Sequence, residues 1–379
     1  MLSSAAATDS VPRTGQHPTF VYVSSGEARE IGVYRMEDDG TLRPLARVAI
    51  DGIVGPLAVS PDRTHLYAAC RSQPFTVHVY AIDATTGALT HRSSAPLANS
   101  FPYIAFDRTG RFLLGASYGG NLISVNALDA DGGVATKPLQ VLPVLSNAHS
   151  IRVDESNRFV FVPALGTDRI YQFLFDEKSG RLTPNAPPFA QVQSNSGPRH
   201  FVTSADNRFV YVVNEMMATV TTFALDSATG LLSARSTASG LPPDTPLVPG
   251  AARGPAVPAV AGGNPETGPR NTDNDIWAAD VHLSPDGKFL YISERTLSTI
   301  ETLRVDGATG ALTWLASTPT EKQPRGFRID ARGRFMIVTG ERSATLSVYA
   351  LDAPGGEPRF LARYPVGKGG NWVEIVGLE

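Results

Sequence analysis

The chemistry open to this chain rests on a small set of polar residues: His149, Arg199, Glu215, Arg295 and Arg325. An imidazole or a carboxylate can take the proton from an attacking water. Several arginines can hold a carboxylate or phosphate bidentately, and one can polarise a carbonyl as negative charge develops on its oxygen. Together these types point to hydrolysis of an ester on an anionic substrate. Covalent routes are not expected. No serine nucleophile on a strained Gly-x-Ser-x-Gly turn is anticipated. The single cysteine, Cys70, ends a strand-like run, His65-Leu66-Tyr67-Ala68-Ala69-Cys70, and reads as a buried, inert thiol. The seven histidines show no close pair at zinc-ligand spacing. Asn214 and Glu215 could lend oxygens to calcium or magnesium, but the expected site has no metal and no cofactor.

These residues lie far apart along the chain, so a repeat must bring them together. Short aromatic-rich runs begin at Phe20, His65, Phe112, Phe159, Phe209, Phe289 and Phe335. Their starts are separated by 45, 47, 47, 50, 80 and 46 residues. Turn formers precede the runs, as in Ser60-Pro61-Asp62, Asp107-Arg108-Thr109-Gly110 and Ser284-Pro285-Asp286-Gly287. An alternating strand that ends in Asp follows in five of the units, as in Val77 to Asp83 and Ile300 to Asp306, and then a second turn such as Thr86-Gly87 or Thr309-Gly310. Each unit reads strand, turn, strand, loop, strand, turn, strand. Four short antiparallel strands per repeat of this length make a propeller blade. The expected fold is all-β: a seven-bladed β-propeller over residues 19–379, closed by the C-terminal strand Asn371–Val376 beside Phe20–Ser24 in the first blade. The long interval holds a Pro- and Gly-rich insertion, residues 241–274, read as a surface loop. Residues 1–18 read as a flexible N-terminal segment.

Superposing the repeats shows where they stop being alike. The residue ten before each run is Gly55, Pro102, His149, Arg199, Ala279 and Arg325 in the second to seventh units. This position should open the innermost strand, along the axial channel. The residue six after each start is Gly26, Arg71, Tyr118, Leu165, Glu215, Arg295 and Glu341. The two sets form polar rings at one end of the channel. Substrate contacts are expected from Arg325, Arg71, Tyr118, Asn214 and His200. Inter-blade salt bridges are the purely structural alternative for these charges.

Composition narrows the partners. Lys and Arg number 33 and Asp and Glu 36, with both signs scattered, so nothing marks a nucleic-acid or anionic membrane surface. No apolar stretch reaches the ~20 residues of a membrane-spanning helix. The first residues lack a basic region followed by an apolar one, so a cytoplasmic protein is expected. The partner implied is a small molecule; the sequence is silent on oligomeric state.

The mouth residues lie in stretches that resemble the propeller-type bacterial 6-phosphogluconolactonases, within the lactonase family that also holds a fungal carboxymuconate lactonising enzyme. The matching stretches are His149-Ser150, Val162-Pro163-Ala164-Leu165, Gly197-Pro198-Arg199-His200, Val213-Asn214-Glu215, Trp277-Ala278-Ala279-Asp280 and Gln323-Pro324-Arg325-Gly326-Phe327. The likeness runs from Phe20 to Val376. It implies hydrolysis of 6-phospho-D-glucono-1,5-lactone to 6-phosphogluconate without a required metal, with His149, Glu215, Arg199 and Arg295 as the catalytic set. Either His149 or Glu215 would activate water, Arg199 would stabilise the oxyanion, and Arg295, Arg325 and Arg71 would bind the anionic end of the substrate. The 241–274 insertion departs from the shorter bacterial pattern. A lactonase for an unphosphorylated or other acidic lactone would share the same fold and catalytic set. A non-catalytic interaction propeller would be expected to carry Trp-Asp marks, and no blade here ends in that pair.

Overall fold

The computed structural model describes residues 18–253 and 272–378. Expectations for residues 1–17 and for 254–271 fall outside the described residues. Among the described residues, twenty-eight strands form seven four-stranded antiparallel sheets, one for each repeat. The second blade shows the pattern: β4 (Val54–Val59) lies innermost, then β5 (His65–Cys70), β6 (Thr76–Ile82) and β7 (Leu89–Pro96). Strand β5 is buried almost throughout because neighbouring blades cover both of its faces, so its sequence is continuously apolar rather than alternating. The outermost β7 meets water and carries Thr90, His91 and Arg92 in exposed positions.

The turns repeat for a physical reason. At the turn between first and second strands, one short polar side chain caps the strand that follows. In the fourth blade Asp154 Oδ1 accepts the Arg158 and Phe159 N–H groups at 3.0 and 2.9 Å. In the fifth, Ser204 Oγ accepts the Phe209 N–H at 2.9 Å. Serine and aspartate exchange freely here because each offers an oxygen two bonds or so from its own backbone.

At the outer turn, a glycine meets the blade before it. Gly230 has φ +74°, and a Cβ there would lie 2.1 Å from a ring carbon of Phe159. The Phe159 ring therefore lies flat on bare backbone. The same pairing recurs for Gly87 on Phe20 and Gly310 on Phe209, and Gly40 of the first blade sits on Phe335 of the seventh, which closes the ring. Tyrosines two residues on add a bond: Tyr22 and Tyr291 donate their hydroxyls to the Gly87 and Gly356 carbonyls at 2.9 and 2.8 Å. The aromatic start of each repeat is thus an inter-blade contact.

The core follows the same logic. Among the described residues there are seven hydrophobic clusters, and each draws on at least two neighbouring blades. No blade owns a core of its own. Ring closure is as expected: β28 (Gly370–Gly377) pairs antiparallel with β1 (Thr19–Ser25), with Phe20 opposite Val376 and Ser24 opposite Trp372. Trp372 and Val376 enter the cluster between the first two blades, and Val373 the one between the first and last. Deletion of residues 370–379 removes the inner strand of a blade and part of two clusters. It should abolish the cooperative thermal transition seen by circular dichroism; a truncated chain melting like the parent would contradict closure by β28.

Candidate active site

The inner strands carry their mouth residues on β-bulges. In β16 (Pro198–Thr203), Pro198 pairs with Asn214 and His200 with Val213, which leaves Arg199 unpaired. In β24 (Pro324–Ile329) the register skips Arg325 in the same way, and in β28 it skips Asn371. A bulge leaves one residue without a partner and re-aims its side chain. Here it turns arginines from the sheet into the channel mouth. His149 is placed differently from expectation. Regular pairing in its blade begins only at β12 (Arg152–Val153), so His149 precedes the strand rather than opening it, with its N–H donated to Pro163 O at 3.0 Å. Pro102 likewise stands just before β8 (Tyr103–Phe106).

The second ring is pinned by one repeated backbone bond. Each of its residues directly follows the second strand of a blade, and all but Tyr118 donate their N–H to the carbonyl two residues before the first-ring position. Arg71 bonds Ile53, Leu165 bonds Asn147, Glu215 bonds Gly197, Arg295 bonds Trp277 and Glu341 bonds Gln323. Arg295 thus keeps its register across the insertion. Gly26 bonds Gly369, and this makes Asn371 the first blade's member of the inner ring. Asn371 is absent from the superposed repeats because its repeat is split between the two ends of the chain; counting the closing strand as part of the first unit supplies it.

Glu215 is the hub. Its Oε2 accepts Arg199 Nε at 2.8 Å and Arg295 Nη2 at 3.0 Å, and its Oε1 accepts the Trp277 indole N–H at 3.2 Å. Arg199 and Arg295 are both fully buried, at 0% and 2% exposed. Arg295 also donates to the Trp277 and Ala278 carbonyls and stacks on the Trp277 ring, 3.7 Å from its centroid. Arg199 donates Nη1 to Ala279 O at 2.5 Å, while its Nη2 is buried with no partner. Burial, and then repulsion from Arg295, bring the Arg199 guanidinium down to about 9, still protonated at neutral pH. Glu341 pairs with Arg325 at 3.3 Å. Burial works to raise its pKa, but Arg325, Arg295 and Arg199 outweigh this and hold it below the ordinary carboxylate value. Asn371 Nδ2 touches the same Glu341 oxygen at 3.5 Å.

His149 lies beside these cations with its Nδ1 buried and unpartnered, and its ring edge-on to Tyr118 and His200. Burial first, and Arg199 next, push its pKa well below the ordinary histidine value, so the imidazole is neutral at pH 7. His200 has no free ring nitrogen. Arg199 Nη1 can only donate, so His200 Nε2 accepts at 3.1 Å and its Nδ1–H is given to Asp280 at 2.8 Å. Asp280 is also held by His282 at 3.2 Å. His200 therefore acts on Arg199 from below, against a floor of Tyr103 and Trp372 rings.

Of the remaining expected residues, Arg71 keeps a buried, unpartnered Nε, and burial followed by Arg325 lowers its pKa to about 10. Asn214 turns into its own blade, where it donates to Thr219 and Thr221 at 2.9 and 3.0 Å. Tyr118 donates its hydroxyl to the Arg253 carbonyl at 2.8 Å, and Arg253 stacks on Trp277, 3.7 Å from the ring centroid. The first limb of the insertion is thus not a detached surface loop. Leu241 and Leu247 are buried with Ile276, Val248 bridges Asp275, and Arg253 reaches across the mouth to the third blade. Neither Arg253 nor Trp277 was expected in the site, since Arg253 has no counterpart in the repeat. Gly115-Ala116-Ser117-Tyr118-Gly119 does spell Gly-x-Ser-x-Gly. Its setting is a strand hairpin, however: Ser117 ends β9 (Phe112–Ser117), is fully buried, and bonds Asn99 Oδ1 at 3.1 Å.

Arginines, a carboxylate and a neutral imidazole gathered at one mouth of a seven-bladed propeller suit the hydrolysis of a lactone. The family model "Lactonase, 7-bladed beta-propeller" matches residues 19–375, and the chain belongs to that family. It is 39% identical over 358 residues to the 6-phosphogluconolactonase of Serratia proteamaculans, covering 94% of this chain and 98% of the relative. The 6-phosphogluconolactonase of Pectobacterium carotovorum is 37% identical over 360 residues, covering 95% and 99%. Among solved structures, the periplasmic gluconolactonase of Pseudomonas aeruginosa matches with a TM-score of 0.81 at 26% identity, over 96% of this chain and 100% of that one. Among the described residues no helix is long and apolar enough to cross a membrane.

The buried histidines give a stability signature. His200 has its pKa lowered from 6.5 to about 3, by burial first and Arg199 second. In the unfolded chain the same ring takes up a proton near 6.5. Between those values the unfolded state binds more protons, so this contribution is full above pH 6.5 and is lost as pH falls toward 3. His149 acts in the same direction. The urea midpoint should be lower at pH 4.5 than at pH 7.5, and the difference should shrink in His200→Gln.

Proposed function

We propose that the chain hydrolyses a sugar-acid lactone, 6-phospho-D-glucono-1,5-lactone, at the mouth built around Arg199, Glu215, Arg295 and His149. The observation that carries this reading is charge. In the two rings four guanidiniums, Arg71, Arg199, Arg295 and Arg325, face two carboxylates, Glu215 and Glu341, around a neutral histidine. Within the rings the guanidiniums outnumber the carboxylates by two; Asp280 and Glu294 act on Arg199 and Arg295 from outside them. A buried positive surplus beside unpaired N–H groups suits an oxyanion and an anionic substrate. The names of the Serratia and Pectobacterium relatives point to the same lactone.

In this mechanism water attacks the lactone carbonyl and neutral His149 takes its proton. The tetrahedral oxyanion meets Arg199 Nη2, the amino group left without a partner in the structure. The ring oxygen then leaves and recovers the proton from the imidazolium, giving the open-chain carboxylic acid, which releases its own proton to solvent to become the carboxylate. Glu215 has both oxygens filled by N–H donors and serves as the clamp on Arg199 and Arg295 rather than as the base. His200 and Asp280 hold Arg199 from beneath. A phosphorylated substrate implies a cytoplasmic setting, because a doubly charged sugar does not cross a bilayer unaided.

His149→Ala and Glu215→Gln should each lower turnover by ~10²-fold or more, the scale for losing a general base or the order of its site. Near-parental turnover in both would refute the assignment. With His149 already neutral, kcat/KM should stay level as pH falls through 6.5 and drop only on the acid side of it; a half-point at an ordinary histidine value would place the base elsewhere. The likeness to the Pseudomonas gluconolactonase favours a second reading, an unphosphorylated aldonolactone. Parallel rates on phosphorylated and plain gluconolactone decide between them.

A further inference from the structure

Beside the mouth, between the sixth and seventh blades, lies a cavity of about 180 Å³. Its charged lining is Arg253, Arg295, Lys322 and Arg342, with one carboxylate, Asp273. Trp277 forms the wall it shares with the catalytic mouth. The Arg253 and Arg295 guanidinium carbons each lie 3.7 Å from the Trp277 ring centroid, and so must occupy opposite faces of it. The edge of that indole donates to Glu215 Oε1. A group bound in the cavity is therefore one aromatic ring away from the carboxylate clamp.

The backbone around the cavity is set for this. Lys322 donates its N–H to Ser343 Oγ at 2.8 Å, and Arg342 donates its own to Lys322 O at 3.2 Å, so the two cationic residues come from locked neighbouring loops. A Cβ at Gly340 would lie 2.3 Å from Lys322 O, so this close approach depends on glycine. Arg253 is held from its other side by the Tyr118 hydroxyl. The volume equals that of about six waters, room for a phosphoryl group and its hydration. Arg253, Lys322 and Arg342 line it beside Arg295, whose guanidinium is already held by Glu215, and favour a dianion that can share its oxygens among several donors.

We propose that this cavity is the subsite for the phosphate of the substrate, and that Arg253, contributed by the insertion, with Lys322 and Arg342, selects phosphorylated over plain lactones. The inference rests on the lactonase reading above and names its specificity element. Arg71 and Arg325 lie with Glu341 in the mouth, whereas this cavity has Trp277 as its wall and would take the far end of the substrate.

The test is steady-state kinetics of the full-length protein on 6-phosphogluconolactone and on plain gluconolactone, corrected for spontaneous hydrolysis. Two variants are used, Arg253→Ala and the double change Lys322→Ala with Arg342→Ala, because the first alters the insertion and the second only framework loops. Each should lower the ratio of kcat/KM for phosphorylated over plain lactone by about 10-fold, the scale of one lost charge-assisted hydrogen bond. The change should appear in KM for the phosphorylated substrate, and inhibition by inorganic phosphate should weaken in parallel. If the parent hydrolyses neither lactone, the lactonase reading fails and this proposal with it. If the parent is an active lactonase but shows no preference for phosphate, or if both variants keep its preference, the subsite is overturned while the lactonase reading stands.

Discussion

The contact that the rest of the molecule depends on is a glycine turn pressed against the aromatic ring of the preceding blade. It works because both partners are specialised. The glycine has positive φ and no Cβ, so the ring can lie on the backbone itself, and nearby tyrosines bond the glycine carbonyl at several of these junctions. The contact spans two repeats and never lies within one. Since every hydrophobic cluster also draws on at least two blades, each blade is stable only as part of the ring. The closing pair, Gly40 on Phe335, joins the ends of the chain and lets β28 serve as an inner strand far from its partner in sequence.

A rigid ring of this kind can tolerate a costly centre. Two arginines with essentially no exposure, two carboxylates and two neutral histidines meet at one channel mouth. Leaving such charges without partners would cost several kcal/mol each. Most are satisfied: Glu215 takes three donors, and Asp280 takes two histidines. Among the buried polar atoms that stay without a partner, Arg199 Nη2, His149 Nδ1 and Arg71 Nε lie at the mouth itself. Bulges achieve the geometry, because they free one residue per inner strand from the sheet while the repeated backbone bond holds its neighbour in place.

The insertion shows how specificity can be added to a symmetric scaffold. It enters between repeats without disturbing the register of Arg295. Its described limb is tied down by buried leucines and a bridge to Asp275, and it delivers Arg253 over the mouth. A residue with no counterpart in the other repeats can change the substrate pocket without changing any blade.

Much of this was legible in the residues alone. Strand runs, turn formers and the split first blade are local signals repeated seven times, and repetition turns weak signals into a count. The same superposition located His149, Arg199, Glu215, Arg295 and Arg325 as departures from the pattern. It could not show that Asn214 turns into its own blade, that His200 spends both nitrogens below Arg199, or that Ser117 ends a hairpin. Nor could it show Arg253 and Trp277 stacked together. Those facts depend on contacts between side chains that share no period and come from different blades. The sequence by itself determined the ring and the positions that break its symmetry, because period and turn chemistry are local. Only the tertiary structure decided which of those positions meet, because hydrogen bonds over 3 Å are set by bulges and blade packing that no repeat unit contains.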